Sequence, residues 1–150
     1  MKWEKSIGKN GEATLNVNGI QLYSRYRPKE DAYAWINAHF DDSKETYLLI
    51  GLGLGYHAER LLQLAKGKAV YVYYFDEYEK QLCPLKEAVN QIEQIDFTNC
   101  QILVPSVWLK AMKAHPIIPY LEDIKIHQMT YKKSAHLMEQ NVLENIRDYH

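Results

Sequence analysis

The chain opens with short apolar runs separated by glycine and asparagine. Ala13 to Val17 and Ile20 to Tyr23 flank Asn18-Gly19, a dipeptide that takes positive φ readily and closes tight hairpins. Asn10-Gly11 is expected to make an earlier turn of the same kind, so that Lys2 to Ile7 adds a third strand. A helix is expected next. Pro28 suits a first helical turn, where its missing N–H has no partner to lose. Glu30 and Asp31 favour the positive end of that helix, and Ala32, Ile36 and Phe40 recur every four residues as one apolar stripe.

The middle of the chain carries the clearest pattern. Thr46 to Ile50 is a short apolar run and reads as a buried strand. Gly51-Leu52-Gly53-Leu54-Gly55 follows at once. Ala58, Leu61, Leu62 and Ala65 then keep helical spacing until Lys66-Gly67-Lys68, where glycine can adopt the left-handed cap conformation. Ala69 to Phe75 is a second strand, apolar on both faces. Strand, turn, helix and strand in about thirty residues make a βαβ unit, and such a crossover places its strands parallel.

Beyond it the pattern predicts a helix over Glu77 to Ile92, with Tyr78, Leu82, Leu85 and Val89 on one side and Pro84 breaking or kinking it. Cys100 to Val104 reads as a third strand of this sheet. Ser106 is expected to cap a short helix through Met112. Ile117-Ile118-Pro119 reads as extended, Leu121 to His127 as a fourth strand, and Thr130 to Tyr149 as a closing helix. The fold class expected is therefore α/β: one Rossmann-like three-layer domain over residues 1–150. Its short, mainly parallel sheet follows a β-hairpin subregion over residues 1–27.

Composition narrows the functional classes. Of 150 residues, 47% are apolar and 25% charged, a normal globular balance. A net charge of −1 lacks the basic footprint of a nucleic-acid binder. Met1 to Lys5 carries no apolar signal-like stretch, and no window approaches the ~20 apolar residues of a membrane span. The cytoplasm is the expected compartment. Cys83 and Cys100 fit neither a disulfide framework nor a zinc pattern. The six histidines lack metal-binding spacing, so no metal is expected. Twelve tyrosines against three phenylalanines suit half-exposed positions, or a partner or carbohydrate surface.

The glycine turn is the candidate ligand site. The first N–H groups of a helix have no intrahelical partners, and the helix dipole adds positive character there. Glycine removes the Cβ atoms that would hold a ligand away, so phosphates, carboxylates and ribose groups bind well at such turns. The spacing G-x-G-x-G, with bulky Tyr56 where a dinucleotide fingerprint needs a small residue, argues against NAD. It is closer to the first motif of class I S-adenosylmethionine-dependent methyltransferases. A Walker-type phosphate loop is excluded, because no Gly-Lys-Ser/Thr follows. Asp76, 21 residues past Gly55, sits where an acidic residue commonly accepts ribose hydroxyls; it equally suits the N-cap of the next helix. Gly51, Gly53, Gly55, His57 and Asp76 are the candidate binding residues. His57 either meets the ligand or packs on the sheet. Replacing Gly53 by Val is expected to abolish binding and leave the fold largely intact. The two arginines of Ser24-Arg25-Tyr26-Arg27 hold an anion or belong to a solvated loop. No catalytic residue is identified, since no nucleophile motif is present.

Leu22-Tyr23-Ser24-Arg25-Tyr26-Arg27-Pro28-Lys29-Glu30-Asp31-Ala32, followed by Leu48-Leu49-Ile50-Gly51-Leu52-Gly53-Leu54-Gly55-Tyr56-His57, resembles the N-terminal part of the motility accessory factor family. The match covers roughly residues 20 to 80. Proteins of that family resemble glycosyltransferases that attach nonulosonic acid sugars, such as pseudaminic acid, to flagellin. They are several times longer, and their transferase activity is associated with a central domain. The resemblance implies a noncatalytic accessory domain, with a nucleotide or nucleotide sugar as ligand and flagellin or the rest of a longer transferase as partner. It makes Gly51, Gly53, Gly55 and His57 motif positions. Phe75-Asp76 departs from the Glu-Pro usual in the family. A small methyltransferase using S-adenosylmethionine and a ligand-free interaction module are the alternatives.

Overall fold

A computed structural model describes residues 1–126. The chain divides into two compact units, Met1–Lys113 and Ala114–His150. The first begins with β1 (Trp3–Ile7), β2 (Ala13–Val17) and β3 (Ile20–Gln21), an antiparallel sheet in the order β1-β2-β3. Asn18 and Gly19 both hold positive φ, 52° and 82°, between Val17 and its partner Ile20, the geometry of the expected tight hairpin. The earlier turn is of a different kind. Ile7 pairs with Ala13 across a loop of residues 8–12. Only Gly11 is left-handed there (φ 87°), and Gly8 N–H closes the loop onto Glu12 O at 2.7 Å.

The helix α1 (Pro28–His39) has proline in its first turn and buries Ala32 and Ile36. Then come β4 (Thr46–Ile50), α2 (Tyr56–Leu64) and β5 (Ala69–Tyr73), the expected βαβ unit, with β4 and β5 parallel and Thr46 opposite Ala69. Tyr47, Leu48, Leu49 and Ile50 are fully buried. Burial on both faces of a central strand is what their unbroken apolar run requires, and each such side chain contributes roughly 1.5–3 kcal/mol. The helix α2 turns Ala58 and Leu61 onto this core, joined by its C-cap residue Ala65.

The remaining elements of this unit are α3 (Glu77–Leu82), β6 (Ala88–Val89), β7 (Cys100–Leu103) and α4 (Ser106–Ala111). The four-stranded sheet is entirely parallel, in the order β6-β5-β4-β7, and helices flank it. The fold is thus Rossmann-like α/β, with a small antiparallel sheet before it.

Three expectations are corrected. The helix predicted through Ile92 ends at Leu82, before Pro84, and Tyr78 is 43% exposed. The fourth strand is β6, not Leu121 to His127: residues 117–126 are helical, and Ile117-Ile118-Pro119 forms the first turn of that helix. Ser106 is the first residue of α4 rather than its cap. Pro105 holds the cap position, without a side-chain bond. The predicted closing helix, Thr130 to Tyr149, lies outside the described residues. No helix among those described is long and apolar enough to cross a membrane.

Candidate functional site

The glycine turn sits between β4 and α2, at the carboxyl end of the central strand. Gly51, Gly53 and Gly55 all take positive φ, 102°, 50° and 84°, so this conformation needs glycine at each position. The space beside each glycine is occupied by the protein itself. A Cβ on Gly51 would lie 2.2 Å from the Trp108 ring, one on Gly53 2.2 Å from the Tyr23 hydroxyl, and one on Gly55 2.6 Å from Cys83 Sγ. Tyr23 and Trp108 are buried, so neither yields easily. The expectation that Gly53→Val leaves the fold intact is therefore corrected: the valine side chain collides with a buried tyrosine from a left-handed backbone.

The amides of the turn are also engaged. Gly53 N–H donates to Glu79 Oε2 at 2.9 Å, and Phe75 N–H donates to Glu79 Oε1. Leu54 N–H donates to the Tyr23 hydroxyl at 3.0 Å. Gly51 N–H reaches Tyr73 O at 3.0 Å, and Gly55 N–H reaches Leu52 O at 2.8 Å. A carboxylate of the chain itself thus stands where the helix start favours an anion. Glu79 is fully buried. Burial pushes its carboxyl up to about 7, against the opposing pull of the hydrogen bonds from Gly53 and Phe75. Burial likewise pushes the Tyr23 hydroxyl above its ordinary value, so it stays a neutral phenol.

Asp76 is the N-cap of α3. Its Oδ1 accepts from Glu79 N–H at 3.0 Å, and its Oδ2 accepts from Trp3 Nε1–H at 2.7 Å. Both oxygens therefore have partners within the chain. In the loop before α1, Ser24 Oγ accepts from the Tyr26 and Arg27 amides at 3.1 Å each. Arg27 lies 3.8 Å from Glu30 and 3.9 Å from Asp31.

His57, in the first turn of α2, is 5% exposed. Its ring lies between Tyr23, with centroids 5.6 Å apart, and Trp35, edge-on at 5.8 Å. Its Nδ1 finds no hydrogen-bond partner among the described residues, and neither does Trp108 Nε1. Burial lowers the His57 pKa to about 4, so the imidazole is neutral at pH 7. No group of three or more metal-ligating side chains occurs among the described residues.

The structure thus brings Gly53 together with Tyr23 and Glu79, while Asp76 faces Trp3 and its own helix. Glu79, Tyr23, Trp108 and Cys83 were missed in the sequence. The signal for Glu79 was Asp76-Glu77-Tyr78-Glu79, which has capping-box spacing. Its carboxylate reaches past the cap position to Phe75 and the glycine turn.

No family profile matches the chain, and no solved structure matches it. An uncharacterized protein of Treponema pallidum (strain Nichols) is 44% identical over 57 residues, covering 36% of this chain and 20% of that protein. The matched chain therefore spans about a fifth of that relative's length.

Proposed function

We propose that the chain is a noncatalytic accessory domain of a motility-accessory-factor-type glycosyltransferase, serving the transfer of a nonulosonic acid sugar to flagellin. The resemblance in residues 20–80 supplies the family. The observation that supports a noncatalytic role is Glu79. Its carboxylate holds the Gly53 amide at 2.9 Å, where a bound nucleotide would place a phosphate. A phosphate arriving there would have to displace a buried carboxyl that is itself hydrogen-bonded.

Two assays test this reading. The isolated chain, given a cytidine-activated nonulosonic acid and flagellin, is expected to transfer no sugar. Added to a transferase of this family that lacks its own N-terminal domain, it is expected to raise transfer. Turnover by the isolated chain, or no effect on the truncated transferase, removes the proposal. Micromolar binding of S-adenosylhomocysteine in a calorimetric titration would replace it with the methyltransferase.

A further inference from the structure

A cavity of about 190 Å³ opens beside His57, Ser24 and Ser106, near the carboxyl end of the parallel sheet. A larger one, of about 380 Å³, lies on the small antiparallel sheet. The pairing register makes the two faces of that sheet unlike. Trp3, Leu15 and Val17 share the face that packs with Leu22, Tyr23 and Trp108. Glu4, Ser6, Thr14, Asn16 and Gln21 share the other face, because side chains alternate along a strand. These five line the larger cavity. Thr14 Oγ1 donates to Tyr23 O at 3.2 Å and accepts from Gln21 Nε2–H at 2.7 Å, which fixes both side chains. Ser6 Oγ and the Asn16 side-chain amide have no hydrogen-bond partner among the described residues.

The loop after β1 adds charge. Lys9 N–H donates to Arg25 O at 2.6 Å. Gly8 packs so closely there that a Cβ on it would lie 2.7 Å from the same oxygen. This contact brings Lys9 and Arg25, distant in sequence, to one cavity with Lys5 of β1. The lining thus holds three cations and one carboxylate, Glu4, which Lys2 engages at 3.3 Å. Lys5, Lys9 and Arg25 have no acidic partner among the described residues. Arg27, by contrast, is paired with Glu30 and Asp31. The structure therefore separates the two arginines of the Ser24-Arg25-Tyr26-Arg27 segment.

Two observations point to an anionic occupant. Like charges share one concavity without a counter-charge from the chain, although the net charge of the whole is −1. The Gly8–Arg25 contact holds them there against their repulsion. A cleft lined by one sign of charge concentrates the opposite ion.

The rest of the lining selects among anions. The volume falls within the ~300–1,000 Å³ of small-molecule sites. No aromatic ring lines the cavity to stack a base, and Ile7 is its one apolar side chain, which argues against a nucleotide. Ser6, Asn16 and Gln21 offer donors and acceptors together, as sugar hydroxyls require.

We propose that this face binds a monosaccharide carrying an acidic group, a phosphate or a carboxylate. Lys9 and Arg25 take the acid, and Ser6 and Asn16 take hydroxyls. The site is distinct from the glycine turn and its titration needs no transferase, so it can fail while the accessory role stands.

The test titrates the ¹⁵N-labelled chain with glucose 1-phosphate, glucose 6-phosphate, glucuronate and N-acetylneuraminate, against glucose and inorganic phosphate. The signals read are the Ser6, Gly8 and Lys9 amides and Arg25 Nε. At least one acidic sugar is expected to move them with submillimolar affinity, about tenfold or more tighter than glucose or phosphate, and its acid group identifies the source. Loss of a charge-assisted hydrogen bond in Arg25→Gln or Lys9→Gln should weaken binding about tenfold. Arg27→Gln should leave it unchanged. Asn16→Leu should reduce the acidic sugar to the affinity of inorganic phosphate. The proposal is overturned if no acidic sugar moves these signals at millimolar concentration. It is also overturned if inorganic phosphate binds as tightly, the mark of an adventitious ion only, or if folded Arg25→Gln keeps full affinity.

Discussion

The glycine turn and the His57 cavity are neighbours at the carboxyl end of one sheet, and they are built on opposite terms. At the turn, Tyr23, Trp108 and Cys83 stand where glycine Cβ atoms would be, and Glu79 and Tyr23 take the Gly53 and Leu54 amides. At the cavity, His57, Ser24 and Ser106 border open space that no side chain of the described residues fills. The glycines therefore report the close approach of the protein's own side chains. A polar atom without a partner among the described residues lies on each side: Trp108 Nε1 against Gly51, and His57 Nδ1 next to the cavity wall. A glycine-rich βα turn says that something comes close; whether it is a ligand depends on residues far along the chain.

The largest effect expected from breaking this contrast is at Gly51. Alanine there would hold φ near 102° with its Cβ 2.2 Å from a fully buried indole. Backbone strain and overpacking together cost on the order of 3–5 kcal/mol, read as a fall in the urea midpoint. A Gly51→Ala domain of unchanged stability would mean that Trp108 does not fill the turn.

A smaller effect is expected at Glu79. Gln keeps the shape but offers only one oxygen to the Gly53 and Phe75 amides, so Glu79→Gln should cost about 1–2 kcal/mol. The pH dependence carries the sharper signature. The folded pKa is raised from 4.5 to about 7, so between those values the folded state binds more protons than the unfolded. This group's contribution is present in full below about pH 4.5 and is lost as pH rises through 7. The Gln variant should lack that decline in a series of urea melts at pH 4–8; an identical decline in both proteins would rule out Glu79 as its source.

The smallest effect is expected at the cavity. His57→Phe removes an unpaired polar atom, so stability at pH 7 should change by less than about 1 kcal/mol. Here the pH sign is opposite. The folded pKa is lowered from 6.5 to about 4, so the unfolded state takes the proton first. The His57 contribution is complete above about pH 6.5 and is lost as pH falls through 4. The Phe variant should flatten that acid limb. A loss of several kcal/mol at pH 7 would show that His57 is a packing residue with hidden partners.

Much of the fold was legible because local pattern and tertiary packing agree. The run Tyr47 to Ile50 had no charged residue to turn outward, so it read as a buried strand, and Asn18-Gly19 supplied the two positive-φ residues of the β2–β3 hairpin. Failures came where two periods overlap. Leu85 and Val89 keep helical spacing, yet Pro84 had already ended α3, and the sheet recruited Ala88–Val89 as an edge strand. Ile117-Ile118 is β-branched and reads as extended, but its proline falls in the first turn of a helix, where no amide bond is lost. The site was legible as a turn and illegible as a cavity. Positive φ is a local property of glycine, whereas the partners of Gly53 lie in Tyr23 and Glu79, brought in by β-pairing and by the cap of α3.

Trp3 carries a consequence for how the nascent chain matures. Its indole donates to Asp76 at 2.7 Å and lies 6.2 Å from the Tyr78 ring and 6.1 Å from Trp108, centroid to centroid. At about 5–20 residues per second of translation, Trp108 leaves the ribosome roughly 5–20 s after Trp3. The strand pair β1–β2 is local and can form early, yet Trp3 must wait for Asp76, Tyr78 and Trp108 before its ring is covered. The β1-β2-β3 sheet thus forms early by local pairing, while the ring on its first strand is covered only when residues from the far end of the parallel sheet arrive.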